Sequence, residues 1–198
     1  MSENSEKFKE AIEHIKETRK PIGKGAEKLV YLNPDNNRQV IGSYHGKEGR
    51  VGNIKASFYL TKILHLLFPK NIPDIHQVTA IPKTITRQRI ETDSLHKDAQ
   101  RDDSFGWEAR VKLKGKLDQN SEYKRFRDTI YSLGVNLDTA PLNFSLDPED
   151  NPVYLDDFKY WDHDVAEKLQ KAIEHKLQEP ERTRALKFLE RFRELDQQ

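Results

Sequence analysis

Cysteine is absent from this 198-residue sequence, so disulfides and thiolate metal sites are excluded. Net charge is nearly absent as well. The 34 basic and 33 acidic side chains leave a formal +1, and long-range attraction to nucleic acid or anionic lipid is not forced by it. Long apolar runs are missing too. Stretches such as residues 63–68 are far too short to cross a bilayer, so no membrane partner is expected. The first twenty residues are polar and mixed in charge, with no visible signal peptide. The expectation is a soluble cytoplasmic protein. No Ser-His-Asp arrangement, no P-loop Lys-Ser/Thr pair and no dinucleotide fingerprint occurs. Nucleophilic hydrolysis and P-loop NTPase chemistry therefore have no support.

What is present is enough for a folded body. Apolar residues make up 35% and include nine Phe and seven Tyr, so large side chains must carry the core. Residues 5–18 read as an amphipathic helix, with Phe8, Ala11, Ile12 and Ile15 at helical spacing and Pro21 as a stop. Gly23-Lys24-Gly25 is a turn leading to strands at 28–32 and 39–44, with the turn cluster 33–37 between them. Residues 46–52 form a connection. The strongest helix is 53–68, ended by Pro69. Two more strands are expected at 75–81 and 84–90.

Residues 91–106 are polar and without periodicity, which reads as a linker or exposed loop, set at 93–106. The run 110–116 alternates Arg and Lys with apolar residues and reads as a half-buried strand with a solvated face. A basic nucleic-acid contact is the sharper alternative there. A helix at 120–133, short strands near 142–147 and 152–156, and helices from 163 and from Pro180 complete the chain. The predicted class is α+β, with residues 1–92 as a small-sheet unit and 107–198 as a mainly helical one.

The most informative segment is 136–143, which places Asp138 five residues before Asn143. Asp156 follows thirteen residues later, at the end of an apolar run. Phosphoryl transfer from a magnesium nucleotide needs such parts. One carboxylate faces the accepting hydroxyl, and an amide oxygen and a second carboxylate hold the metal. Short polar side chains in turns are the plainer account of Asp138 and Asn143. Trp161-Asp162-His163-Asp164 is acid-rich. A metal site is one reading of it, and a helix N-terminus capped by Asp162, with Asp164 in the first turn, is preferred. The remaining histidines, His96 among them, are scattered and read as surface or core-edge residues.

In this order the segments resemble the protein-kinase-like superfamily, including small bacterial and aminoglycoside-phosphotransferase-like members. A glycine turn enters a hairpin. A helix, two strands, a linker and a helix follow. Then come the Asp-to-Asn loop and a strand ending in Asp. The resemblance implies a compact two-lobed fold with a reduced C-terminal helical lobe, binding ATP and Mg2+. It assigns Asp138 to the substrate hydroxyl and Asn143 and Asp156 to the metal. Asp157 is the alternative register for Asp156, with Phe158 then the aromatic that follows. Gly23, Lys24 and Gly25 fall to the phosphates.

The chain departs from the pattern in places. Asn136 and Leu137 stand where His and Arg are usual, and a third glycine would fall at Lys28. The strand lysine that holds the phosphates is not evident in 39–44, with His45 or Lys47 in a longer register. Lys55 is the candidate replacement, from the helix. Phosphate transfer to a small or non-peptide hydroxyl acceptor is the first functional expectation. A catalytically silent kinase-like binding or scaffolding module is the second. A nucleic-acid-associated protein built on 110–116 is the third.

Overall fold

Alternation along the strands decides which residues meet. The computed structural model describes residues 3–24, 28–44, 53–80, 83–160 and 164–196. Strands β1 (Gly23–Lys24), β2 (Lys28–Leu32), β3 (Gln39–Tyr44), β4 (Ile75–Ala80) and β5 (Lys83–Gln88) form one antiparallel sheet in the order β1-β2-β3-β5-β4. Lys28 pairs with Tyr44, Val30 with Gly42, Gly42 with Ile85 and Val40 with Arg87. Side chains alternate faces along a strand. One face therefore carries Lys28, Val30, Val40, Tyr44, Ile85 and Arg87. The other carries Leu29, Tyr31 and Ile41, and there Ile12 and Ile15 of α1 (Glu3–Thr18) pack on it. The β2–β3 turn is held by two Asx bonds, Asn33 Oδ1 to the Asp35 N–H and Asn36 Oδ1 to the Arg38 N–H.

Helix α2 (Ile54–Leu67) follows, and the Asn53 side chain caps its Lys55 and Ala56 N–H groups. Ile54 packs with Ile75 and Ile85 against the sheet. Leu60, Ile63 and Leu64 instead enter the main core with Leu113, Ile130, Phe144, Tyr154, Leu169 and Phe192. These residues come from α4 (Ser104–Gln119), α5 (Ser121–Ser132), β7 (Phe144–Leu146), β8 (Pro152–Tyr154), α6 (Val165–Lys176) and α7 (Glu181–Asp196). Short strands β6 (Val135–Asn136) and β9 (Lys159–Tyr160) pair with each other, as do β7 and β8. The α+β class is as expected. Among the described residues no helix is long and apolar enough to cross a membrane.

Several segments differ from the sequence reading, among them Gly23–Lys24, read as a turn, which pairs with β2 as strand β1. Residues 93–106, read as a linker, contain helix α3 (Ser94–Ala99) with His96 and Ala99 buried. Their polarity serves capping: Asp93 accepts the His96 N–H and Asp103 accepts the Gly106 N–H. Residues 110–116 lie inside α4 rather than on a strand. Burial there falls on Gly106, Ala109, Leu113 and Leu117 at helical spacing, while Val111 is 55% exposed. Gly106 is required at that contact, because a Cβ there would stand 2.0 Å from the Arg101 carbonyl oxygen. Finally, Asp164 is the cap residue of α6 and lies just outside its first turn. Residues 161–163, including Asp162, fall outside the described residues.

Candidate functional site

Between the apolar-and-charged face of the sheet and the helical part lies a cavity of about 1220 Å³. Its roof is Lys28, Val30, Gly42, Tyr44, Ile85 and Arg87, and its floor includes Asp138, Asn143, Leu155, Asp156 and Asp157. Gly23 lines it as well.

The floor is assembled by backbone and one tyrosine. After β6 the chain turns at Asp138, whose Oδ1 accepts the Ala140 N–H at 3.0 Å. A short 3-10 turn, Pro141–Asn143, leads into β7. The Asn143 carbonyl accepts the Leu155 N–H at 2.8 Å, which brings Asn143 beside the Asp156 segment. The Asn143 amide nitrogen donates to the Asp138 carbonyl at 3.3 Å, so the amide oxygen is the atom a cation would take. Tyr154 is fully buried in a ring series with Phe144 and Phe158, at centroid distances of 5.0 and 4.8 Å. Its hydroxyl accepts the Asp138 N–H at 3.2 Å and donates to the Asp157 carbonyl at 3.4 Å. One phenol thus spans both acidic segments. Burial, with the charge of Asp156 next, raises its pKa well above that of a free phenol and keeps the donor proton in place.

The roof meets the floor at two carboxylates. Lys28 Nζ lies 2.7 Å from Asp156 Oδ1 and 2.8 Å from Asp157 Oδ2. Arg87 Nη2 lies 2.6 Å from Asp157 Oδ1, and its Nη1 donates to the Leu155 carbonyl at 2.8 Å. The Tyr44 hydroxyl donates to Asp157 Oδ2. Burial alone would raise the Asp157 pKa. The charges of Lys28 and Arg87 and the bonds from Lys28 and Tyr44 outweigh it and hold the carboxyl far below its usual range. Tyr44 shifts the other way, through burial and then the Asp157 charge, and stays protonated.

The residues singled out from the sequence divide into three groups. Asp138, Asn143, Asp156, Asp157 and Gly23 share the cavity. Lys24 belongs to β1 by its backbone, while Gly25, His45 and Lys47 fall outside the described residues. Lys55 does not line the cavity. It is exposed at the start of α2, with its N–H on the Asn53 cap. Sequence reasoning missed Lys28, Tyr44 and Arg87 as site residues. The available signal was parity: Lys28 shares its strand face with the apolar Val30 and Leu32, and Arg87 shares its face with Ile85. His96, read as surface or core-edge, is buried, and its Nδ1 bonds the Phe144 carbonyl at 2.8 Å.

Among the described residues no three His, Asp or Glu side chains cluster as a metal site. Asp156 and Asn143 nevertheless offer hard oxygen donors. Magnesium is commonly held by one or two carboxylates together with substrate phosphates and water, so the donor chemistry fits that ion. Compared with known proteins, the chain matches no family model and no curated sequence.

Proposed function

We propose that the cavity binds a magnesium nucleotide, ATP, and that the chain transfers its terminal phosphate to a small or non-peptide hydroxyl acceptor. The observation that carries this reading is the meeting of Asp138, Asn143, Asp156 and Lys28 around one cavity between a sheet and a helical body. The order of elements supports it: hairpin, helix α2, hairpin, helices, the 138–143 loop and then Asp156. Two lobes of the protein-kinase-like kind, the second one reduced, are part of the proposal, as is a cytoplasmic location.

Each side chain has a task in this reading. Asp138, exposed in the cavity, orients the acceptor hydroxyl and takes its proton. Asn143 and Asp156 hold the metal, which when bound neutralises charge on the phosphates. Lys28 is the phosphate cation in place of the absent strand lysine. It stands on the strand next to 39–44, directly across from Tyr44. Val30, Val40, Ile85 and Leu142 give apolar walls for the base.

The test is thermal unfolding against ATP with and without magnesium, followed by phosphate transfer. Ligand that binds the folded state raises the transition with concentration. Asp156→Ala should keep the fold and lose metal-dependent turnover, and equal turnover in the variant removes the assignment. A catalytically silent kinase-like binding or scaffolding module is the second reading. It is favoured by Leu137, a buried apolar residue just before Asp138 where an Arg is usual. A transition unmoved by ATP, with or without magnesium, would decide for it.

A further inference from the structure

We infer that Asp157 is a positioning residue of the proposed nucleotide site. It shares the Lys28 ammonium with Asp156 and thereby leaves Asp156 to the metal and Lys28 to the phosphates. This rests on the nucleotide reading above and gives one of its carboxylates a different task.

The two contacts of Lys28 are nearly equal, 2.7 Å to Asp156 and 2.8 Å to Asp157. The two carboxylates are otherwise unlike. Asp157 also accepts from Arg87 on Oδ1 and from Tyr44 on Oδ2, so both of its oxygens are engaged by the sheet. Arg87 holds the backbone there as well, through the Leu155 and Asp156 carbonyls at 2.8 and 3.3 Å. Three adjacent strands, β2, β3 and β5, therefore converge on one fixed carboxylate. Asp156 is the more open of the pair, with its side chain 32% exposed against 16% for Asp157.

Charge counting gives the same division. Lys28 and Arg87 carry two positive charges against the single negative charge of Asp157. With Asp156 on Lys28 the four groups are neutral; once Asp156 turns to a divalent ion, Lys28 and Arg87 keep one positive charge in excess over Asp157 for the phosphates. Helix α2 contains no acidic residue, and the carboxylates that hold Lys28 come from the segment after β8. Remove the Asp157 charge, and Asp156 is the carboxylate that remains for Lys28. The ammonium and the divalent ion then compete for the same oxygens.

The experiment measures the magnesium concentration that half-saturates binding of a fluorescent ATP analogue. Binding of adenosine, which has no phosphates, is measured in parallel and reports on the cavity itself. Asp157→Asn should raise the magnesium requirement about tenfold, the size of one charge-assisted bond, and leave adenosine binding unchanged. Lys28→Met should lower the magnesium requirement, and its preference for ATP over adenosine should fall by about tenfold. Adding Asp157→Asn to Lys28→Met should change the magnesium requirement no further.

Equal losses for ATP and adenosine in Asp157→Asn, or an effect that persists without Lys28, would overturn the inference. If Asp157→Asn does not fold, Lys28→Met decides alone, and a higher magnesium requirement in that variant sinks the idea. A wild-type protein that binds neither adenosine nor the ATP analogue removes the nucleotide reading, and the inference goes with it. Wild-type binding with an unaltered Asp157→Asn variant removes the inference only.

Discussion

Arg87 and Asp157, 70 residues apart in sequence, meet at 2.6 Å and join the middle of the sheet to the cavity floor. Their side chains are 10% and 16% exposed, so solvent screens the pair little. Arg87→Met should destabilise the fold by about 3 kcal/mol, because it strands a largely buried carboxylate with Lys28 as its remaining cation. Urea unfolding checks this. Adding Asp157→Asn should recover part of the loss, since the carboxylate that has lost its Arg87 partner is then uncharged.

Acid should act on the same carboxylate. Its pKa in the folded chain lies far below the ordinary 3.8. The unfolded chain therefore takes up the proton first, and the stability Asp157 supplies is present above pH 3.8 and lost as the pH falls below it. Unfolding free energy measured from pH 5 downward should drop more steeply in the wild type than in Asp157→Asn.

His96 predicts a second, milder acid response. Burial lowers its pKa from 6.5, against the opposing bond to the Phe144 carbonyl and the nearby Asp93. For a base the sign is that the unfolded chain binds more protons just below pH 6.5, so stability declines as the pH falls through that value. His96→Asn keeps an N–H for the carbonyl and cannot titrate. Its stability should be flat between about pH 7 and 5.5, where the wild type slopes, given the ordinary histidine range.

Helix α4 offers a direct check of its own geometry. On a strand, Val111 and Leu113 would share a face. On the helix, Leu113 is fully buried and Val111 is 55% exposed. Leu113→Ala should cost about 3 kcal/mol and Val111→Ala less than about 0.5 kcal/mol. Similar losses at both positions would favour the strand.

Asn53 gives a fifth test. Its Oδ1 caps α2, and its Nδ2 donates to the Leu195 carbonyl of α7 at 2.9 Å. Asn53→Asp keeps the cap acceptor and loses the second bond, while Asn53→Ala loses both. The aspartate variant should retain about 1 kcal/mol more stability than the alanine one, the usual worth of an N-cap.

The longer strands β2 to β5 and most of the helices were legible because local pattern and tertiary burial agreed, whereas the two-residue strands β1, β6 and β9 were too short to show a pattern. The apolar face of 53–68 and its closing Pro69 gave α2 to within a residue or so. The α3–α4 region was misread because small residues carry its buried stripe. Gly106 and Ala109 contribute little hydrophobicity, while Arg110, Lys112, Lys114 and Lys116 impose a spurious period of two. Asp138, Asn143 and Asp156 could be singled out by spacing alone, and all three line one cavity. The site cations could not be found that way. Lys55 was attractive by its place on the helix, whereas Lys28 reaches the cavity through a cross-strand register with Tyr44 that spacing along the chain does not encode. Arg87 and Asp157 are paired by the folded sheet, which no local window contains.

Helix α2 belongs to two packing clusters at once. Ile54 sits under the sheet with Ile75 and Ile85, while Leu60, Ile63 and Leu64 lie among the helices, and Tyr59 touches Phe188 of α7. Neither half can melt without exposing one side of that rod. Heating should therefore give a single calorimetric transition, with van't Hoff and calorimetric enthalpies in agreement. The slowest amide exchange should lie in α2, at the free energy of complete unfolding.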